Sequence, residues 1–221
     1  MISVAIDGPA GAGKSTLSRK LAKSLDYIYV DTGALYRAVG LKFSKKGFDT
    51  DLKGDIEAVL KETIVDIKFI DKEQRVFLDG ADVSDEIRTP VASMMASAVS
   101  AKPAVRQFLL DMQRNLAKNN NVVMDGRDIG TVVLPNAQVK IFLTADVKVR
   151  AMRRFNELKE KGIEESFEAV LADMEKRDYN DSHRATAPLK QADDAVLADT
   201  TDLSFDESLE LLQKIVKDGV K

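Results

Sequence analysis

Ile2-Ser3-Val4-Ala5-Ile6-Asp7-Gly8-Pro9-Ala10-Gly11-Ala12-Gly13-Lys14-Ser15 is the stretch that decides the fold. Residues 2–6 form a short apolar run closed by Asp7 and a glycine-rich turn, the pattern of a buried strand. Beyond the turn, Leu17, Leu21, Ala22 and Leu25 recur at helical spacing, so a helix begins near Ser15. Between strand and helix, Gly8 through Ser15 match G-x-x-x-x-G-K-S/T at every defined position. The glycines let the backbone wrap closely and turn its N–H groups inward, and the helix N-terminus adds a partial positive charge. Lys14 is placed to reach the β- and γ-phosphates of a bound nucleotide, and the Ser15 hydroxyl to hold magnesium. The stretch is therefore a cradle for a nucleoside triphosphate, formed by Gly8, Pro9, Ala10, Gly11, Ala12, Gly13, Lys14 and Ser15. What the triphosphate is used for is a separate question.

Outward from the cradle, residues 27–30 read as a second short strand, closed by Asp31-Thr32-Gly33. A helix is expected over residues 34–46, stopping at Gly47, and another over 51–62. The middle of the chain differs. Val65-Asp66-Ile67-Lys68-Phe69 and Arg75-Val76-Phe77-Leu78-Asp79 alternate apolar and polar residues, as half-exposed antiparallel strands do, with Asp71-Lys72-Glu73-Gln74 as the turn between them. Residues 63–102 are accordingly expected to be an insert on an α/β core. Pro103 opens a helix to about residue 118, broken by Asn119-Asn120-Asn121. Residues 122–124 and 139–143 read as buried strands and 195–198 as a weaker last one. Charged helical stretches cover 146–161 and 164–179, and Ser204-Phe205-Asp206-Glu207 is a capping-box pattern for a terminal helix. Strands alternating with helices indicate a parallel sheet covered on both faces.

A chain of 221 residues allows one domain, or one domain with an insert. Its 44% hydrophobic and 31% charged residues are globular values, which excludes a disordered chain. The absence of cysteine excludes a disulfide framework, a cysteine–zinc site and a thiol nucleophile, and fits a reducing compartment. A single histidine, His183, excludes a multi-histidine metal site. No apolar run is long enough to span a membrane, and no basic region precedes the first apolar run as in a signal peptide. The net charge of −3 argues against nucleic acid as the main partner. The expectation is a cytoplasmic monomer acting on small molecules.

GTPases read guanine through N-K-x-D, which is missing here, and Asp125-Gly126-Arg127-Asp128-Ile129-Gly130 matches their D-x-x-G only loosely, with an arginine inside it. Instead, arginines stand beside acids after the ends of core strands: at Tyr36-Arg37, at Gly126-Arg127-Asp128, and from Arg177-Asp178 through Asp181 to Arg184. In open α/β sheets ligands sit beyond the carboxyl ends of the strands. A lone arginine there is most often a surface ion pair. Several converging can neutralise a second phosphate-bearing ligand, while the acids read a sugar hydroxyl or a base edge. A kinase for a nucleoside monophosphate fits this pattern. The insert and Gly-Arg-Asp argue against a kinase for another small acceptor such as shikimate, and the missing guanine-reading motif and the many strand-end arginines argue against a nucleotide-dependent switch protein.

These residues resemble the bacterial cytidylate kinases. The matching blocks are Ile6 through Thr16, Asp31-Thr32-Gly33-Ala34-Leu35-Tyr36-Arg37, Asp82-Val83-Ser84 with Glu86-Ile87-Arg88-Thr89, Asp125 through Val133, and Arg177-Asp178, Asp181 and Arg184 through Ala187-Pro188-Leu189. The first block is shared with other phosphate-loop kinases, whereas the Gly-Arg-Asp block and the last are much more specific. One departure is Val91, where family members often carry an acid. The resemblance implies a P-loop NTPase fold: a three-layer α/β/α core with a five-stranded parallel sheet, a small α+β substrate-binding insert (63–102) and a mobile helical lid (150–187). It implies ATP and magnesium as donor, with CMP and dCMP as acceptors. By position it assigns Arg37, Arg127 and Arg184 to the CMP phosphate, Tyr36 and Asp181 to its ribose, Ser97, Arg106 and Asp128 to cytosine, and Thr32 and Gly126 to the same pocket. Thr16, Arg153, Arg154 and Arg177 are carried over to ATP, and Lys14, Arg127, Arg177 and Arg184 to catalysis.

The chemistry agrees. Cytosine offers an amino donor at N4 and acceptors at N3 and O2, which Asp128 and Arg106 complement; uracil reverses the first two positions and leaves polar groups unpaired. The attacking group is a phosphate oxygen, already ionised near neutral pH, so no general base is needed and the scarcity of histidine is no obstacle. His183 is expected to be a solvated lid residue, Met94-Met95 insert packing, and residues 157–165 a solvated helix face.

Overall fold

The computed structural model describes residues 1–70 and 73–220. In chain order its strands are β1 (Ser3–Asp7), β2 (Ile28–Asp31), β3 (Val65–Ile70), β4 (Glu73–Leu78), β5 (Ala81–Asp82), β6 (Val122–Gly126), β7 (Val139–Thr144) and β8 (Val196–Asp199). The helices are α1 (Lys14–Leu25), α2 (Thr32–Lys45), α3 (Ile56–Lys61), α4 (Pro90–Ser100), α5 (Pro103–Asn119), α6 (Val147–Glu160), α7 (Phe167–His183) and α8 (Phe205–Gly219). A π-helical turn spans Ile129–Val133.

β1 lies at the centre of a five-stranded, all-parallel sheet of order β2-β6-β1-β7-β8. All five of its residues are buried, because both faces are covered; this is why the strand reads as one apolar run rather than an alternation. On one face, Leu17 and Leu21 of α1 and Leu212 and Val216 of α8 pack on Val4, Ile6 and Leu143. On the other, Ala117 of α5 and Ile129 and Val133 of the π-helical turn pack on Ala5, Val30 and Met124. The fold is the three-layer α/β class expected. The register sets Asp7 opposite Gly126 and Asp31 opposite Asp125, so three strands end together at one edge of the sheet.

Residues 63–102 hold the antiparallel β3-β4-β5 sheet and α4. Val65, Val76, Leu78, Val83 and Ile87 share one core with Leu35 and Phe43 of α2 and with Leu109 of α5. This segment is therefore packed into the main body along α2 and α5. Glu73 and Gln74, expected in a turn, belong to β4, while Asp71 and Lys72 lie outside the described residues. The Gln74 side chain accepts a hydrogen bond from the Asp31 N–H (2.8 Å) and donates to the Asp31 carbonyl (3.1 Å), completing the free edge of β2.

Three helical expectations shift. The helix expected over 51–62 is confined to α3, because Leu52 and Gly54 adopt positive φ and Asp55 caps the chain after them, accepting from Ala58 N. α7 begins at its Ser166 cap and runs one turn further, to His183. Helix α4 was not anticipated, although Thr89 capping Ala92 N and Pro90 in the first turn are ordinary start signals. Among the described residues no helix is long and apolar enough to cross a membrane.

Candidate active site

The site is built where β1, β2 and β6 end. β1 passes into the glycine loop at Gly8, whose φ is +152° and where a Cβ would lie 1.9 Å from the Leu143 carbonyl oxygen of β7. No other residue fits that approach. α1 starts at Lys14 with no side chain capping its first N–H groups, leaving them directed at the loop for an anion. The Lys14 side chain is buried and folds back to donate to the Pro9 carbonyl at 2.6 Å. Burial, and then the Arg127 charge, lower its ammonium to about 7; Asp125, Asp181 and Asp7 oppose this.

The Ser15 hydroxyl donates to Asp125 Oδ2 at 3.0 Å, and the Tyr29 hydroxyl donates to Asp125 Oδ1 at 2.9 Å. Burial raises Asp125 to about 6, and Asp31 adds to the shift, while Lys14 and the two hydroxyls oppose it. A hydroxyl beside a buried carboxylate is a hard-oxygen donor pair that fits magnesium. Among the described residues there is no cluster of three or more His, Cys, Asp or Glu side chains, so a magnesium ion held here would need further ligands from outside the protein.

Asp7 accepts from the N–H groups of Ile129 and Gly130, both at 2.7 Å. Burial raises it to about 6 against the lowering effect of those two bonds. It pins the π-helical turn beside the glycine loop and so fixes Asp128, the residue just before the turn. In the sequence Asp7 and Asp125 stand inside motifs without a role of their own. The available signal was that both are acids at the carboxyl ends of core strands.

Asp128 is buried in an ion pair with Arg106 of α5, and its other oxygen lies 3.5 Å from Arg184 Nη2. The Arg106 guanidinium sits 5.6 Å from the Tyr36 ring centroid. Thus Tyr36, Arg106, Asp128 and Arg184 form one group, with Arg184 on the side of the expected base readers. Arg127 donates to Asp181 at 2.8 Å and to the Gly126 carbonyl at 3.2 Å. Arg37 pairs with Asp31 at 2.8 Å, while its buried Nε has no partner. Thr32 donates to the Asp125 carbonyl at 2.7 Å, joining β2 to β6. Ser97 lies half-buried on α4. Gln113, not anticipated, is buried on α5 with its amide beside the Tyr36 hydroxyl.

Burial lowers Arg177, and Arg127, Asp181 and Arg154 act on it electrostatically; its nearest carboxylate, Asp173, is 3.9 Å away. Arg154 pairs with Glu157 at 2.8 Å, and Arg153 donates to the Thr200 carbonyl at 2.8 Å, in the turn after β8. Arg150, the first residue of the expected lid, is buried against the glycine loop. His183 is exposed and stacked on Tyr179, with ring centroids 4.1 Å apart. Met95 packs in the core, but Met94 faces outward. Two surface cavities of about 590 and 320 Å³ are lined by none of the expected site residues. What identifies this site is converging charge at strand ends.

Comparison with known proteins gives a consistent result. A family model described as cytidylate kinase matches residues 4–218. A cytidylate kinase of Caldicellulosiruptor bescii is 52% identical over 223 residues, covering 99% of each chain. One from Caldanaerobacter subterraneus subsp. tengcongensis is 49% identical over 220 residues, covering 100% of this chain and 96% of the relative. The crystal structure of an uncharacterized protein from Eubacterium ventriosum aligns with a TM-score of 0.50 at 13% identity, covering 98% of this chain and 99% of that one, and speaks to the fold alone.

Proposed function

The chain belongs to the cytidylate kinase family, and from that premise we propose how its residues move a phosphoryl group from ATP to CMP or dCMP. The enzyme is a phosphotransferase, and its products are ADP and CDP or dCDP. The observation that carries the acceptor assignment is the buried Asp128 carboxylate held between Arg106 and Arg184. The Asp128 oxygen at 3.5 Å from Arg184 is loosely paired and is free to accept from the cytosine amino group. Arg106 donates to the ring acceptors. Uracil presents a carbonyl to that carboxylate oxygen and a ring N–H to the arginine, so both contacts fail.

The donor phosphates lie in the glycine loop, against the uncapped N-terminus of α1. Lys14 exchanges the Pro9 carbonyl for the β- and γ-phosphate oxygens. Ser15, with Asp125 beside it, would hold magnesium, which would supply charge neutralisation on those phosphates. Arg37, whose buried Nε is unpartnered, and Arg127 hold the acceptor phosphate. Asp181 and Tyr36 flank its ribose, with Ser97, Thr32 and Gly126 completing the pocket. Arg177 faces the transferring group from α7, and Arg153 and Arg154 of α6 lie on the ATP side. An acceptor phosphate is already largely ionised at neutral pH, so these residues act by in-line positioning and by neutralising charge. In this reading the enzyme works in the cytoplasm.

The test is an acceptor panel with ATP and magnesium. CMP and dCMP are expected to be phosphorylated far better than UMP or AMP. Equal efficiency with UMP would overturn this account of the pocket.

A further inference from the structure

Arg177-Asp178 stands in the sequence as a unit, yet the chemistry above uses only the arginine. Asp178 has a partner of its own. Its Oδ2 pairs with Arg150 Nη2 at 2.7 Å, and its side chain is 24% exposed. Arg150 is almost fully enclosed, at 6% side-chain exposure, and two more of its donors meet backbone carbonyls. Nε donates to Ala145 at 2.8 Å and Nη1 to Ala10 at 2.9 Å. One rigid guanidinium thus joins the segment after β7, the glycine loop and α7. A second contact lies at the same place. A Cβ on Gly11 would meet Met174 Cε at 2.8 Å and Arg150 Cβ at 3.3 Å, so α7 lies directly against the loop through the buried Met174.

α7 is one continuous helix from Phe167 to His183, so anchoring it at Asp178 fixes the direction of its neighbours. Asp181, one turn on, pairs with Arg127. Arg177 is different: it is 38% exposed, and its nearest carboxylate is 3.9 Å away. Its own bonds do not aim it, so its aim comes from the helix. A planar guanidinium with donors in fixed directions suits this task better than a lysine would.

We propose that Arg150 and Asp178 are positioning residues that hold α7 in register with the glycine loop and thereby aim Arg177 at the transferring phosphoryl group. The inference rests on the assignment of Arg177 to the donor side. Removing one partner of such a pair leaves the other charge uncompensated and destabilises the fold, so the test must separate aiming from folding. A double-mutant cycle on kcat does so, measured with saturating ATP, magnesium and CMP on Asp178→Asn, Arg177→Ala and the double variant. Asp178→Asn is isosteric and is expected to lower kcat by about tenfold or more while leaving the KM for ATP within about threefold. In the Arg177→Ala background the same change is expected to cost less than about twofold, because nothing remains to be aimed. If Asp178→Asn does not stay folded at the assay temperature, the same cycle is run with Arg150→Lys, which keeps the charge and loses the fork. A full tenfold loss in both backgrounds, or none in either, overturns the inference alone. Wild-type kcat in Arg177→Ala overturns the donor assignment beneath it.

Discussion

Buried beside Arg127 and folded onto the Pro9 carbonyl, Lys14 is a charge that the folded protein holds in an unfavourable place. Its folded value of about 7 lies below the unfolded value near 10.4, so between those pH values the unfolded chain binds more protons. The penalty is complete below pH 7 and fades as pH rises through that window. Lys14→Met should therefore melt above the wild type at pH 6–7 without nucleotide, by about 3 °C or more, with the gap closing toward pH 10. The same variant should lose about 10²–10³-fold in kcat. Thermal unfolding across pH checks the first part; a gap that widens with pH contradicts it. Lys14 and Ser15 were legible in the sequence because their motif is local. Asp7, Asp125 and Arg150 were not, because their partners are far away: Ser15 and Asp125 are 110 residues apart, Asp7 and Gly130 123, and Ala10 and Arg150 140. Only the folded sheet brings such ends together.

Elements that carry their own punctuation could be read directly. α8 follows from the Ser204–Glu207 capping box, in which each residue bonds the other's backbone N–H. Ser204→Ala is expected to destabilise the protein by about 1 kcal/mol in chemical denaturation and to leave turnover unchanged. The π-helical turn could not be read, because its shape is imposed from outside. Asp7 holds its first two N–H groups, and Arg114 of α5 donates to the carbonyls of Val132 and Val133. β4 was placed two residues short for a related reason. Gln74 reads as a turn residue until its amide is seen pairing with the backbone of Asp31. Asp31 in turn caps α2 and pairs with Arg37. Gln74→Ala should loosen that chain of contacts and raise the KM for CMP severalfold, with the KM for ATP nearly constant. Equal effects on both nucleotides would show that the contact is only general scaffolding.

Across the whole molecule, the residues proposed for donor and acceptor come from opposite sides of one strand-end edge. The glycine loop and α6 carry the set proposed for ATP, and α2, α5 and the segment after β6 the set proposed for CMP. α7 touches both, through Arg150 at the loop and through Asp181 at Arg127. The sequence showed these groups as separate clusters, and their convergence emerges only with the sheet order β2-β6-β1-β7-β8. With two ligands bound across it, the segment 177–187 should be held at both ends. Its amide hydrogen exchange is expected to slow when CMP and a non-hydrolysable ATP analogue are added together, more than with either alone. Unchanged exchange would mean that these residues do not close over the nucleotides. The central claim is that the site is complete only when the acceptor is present, which makes the protein a kinase rather than an ATPase. The most direct measurement is ADP formation from ATP and magnesium with and without CMP. The account predicts that CMP raises the rate by orders of magnitude, with one CDP formed per ADP. Equal ADP formation in its absence would contradict it.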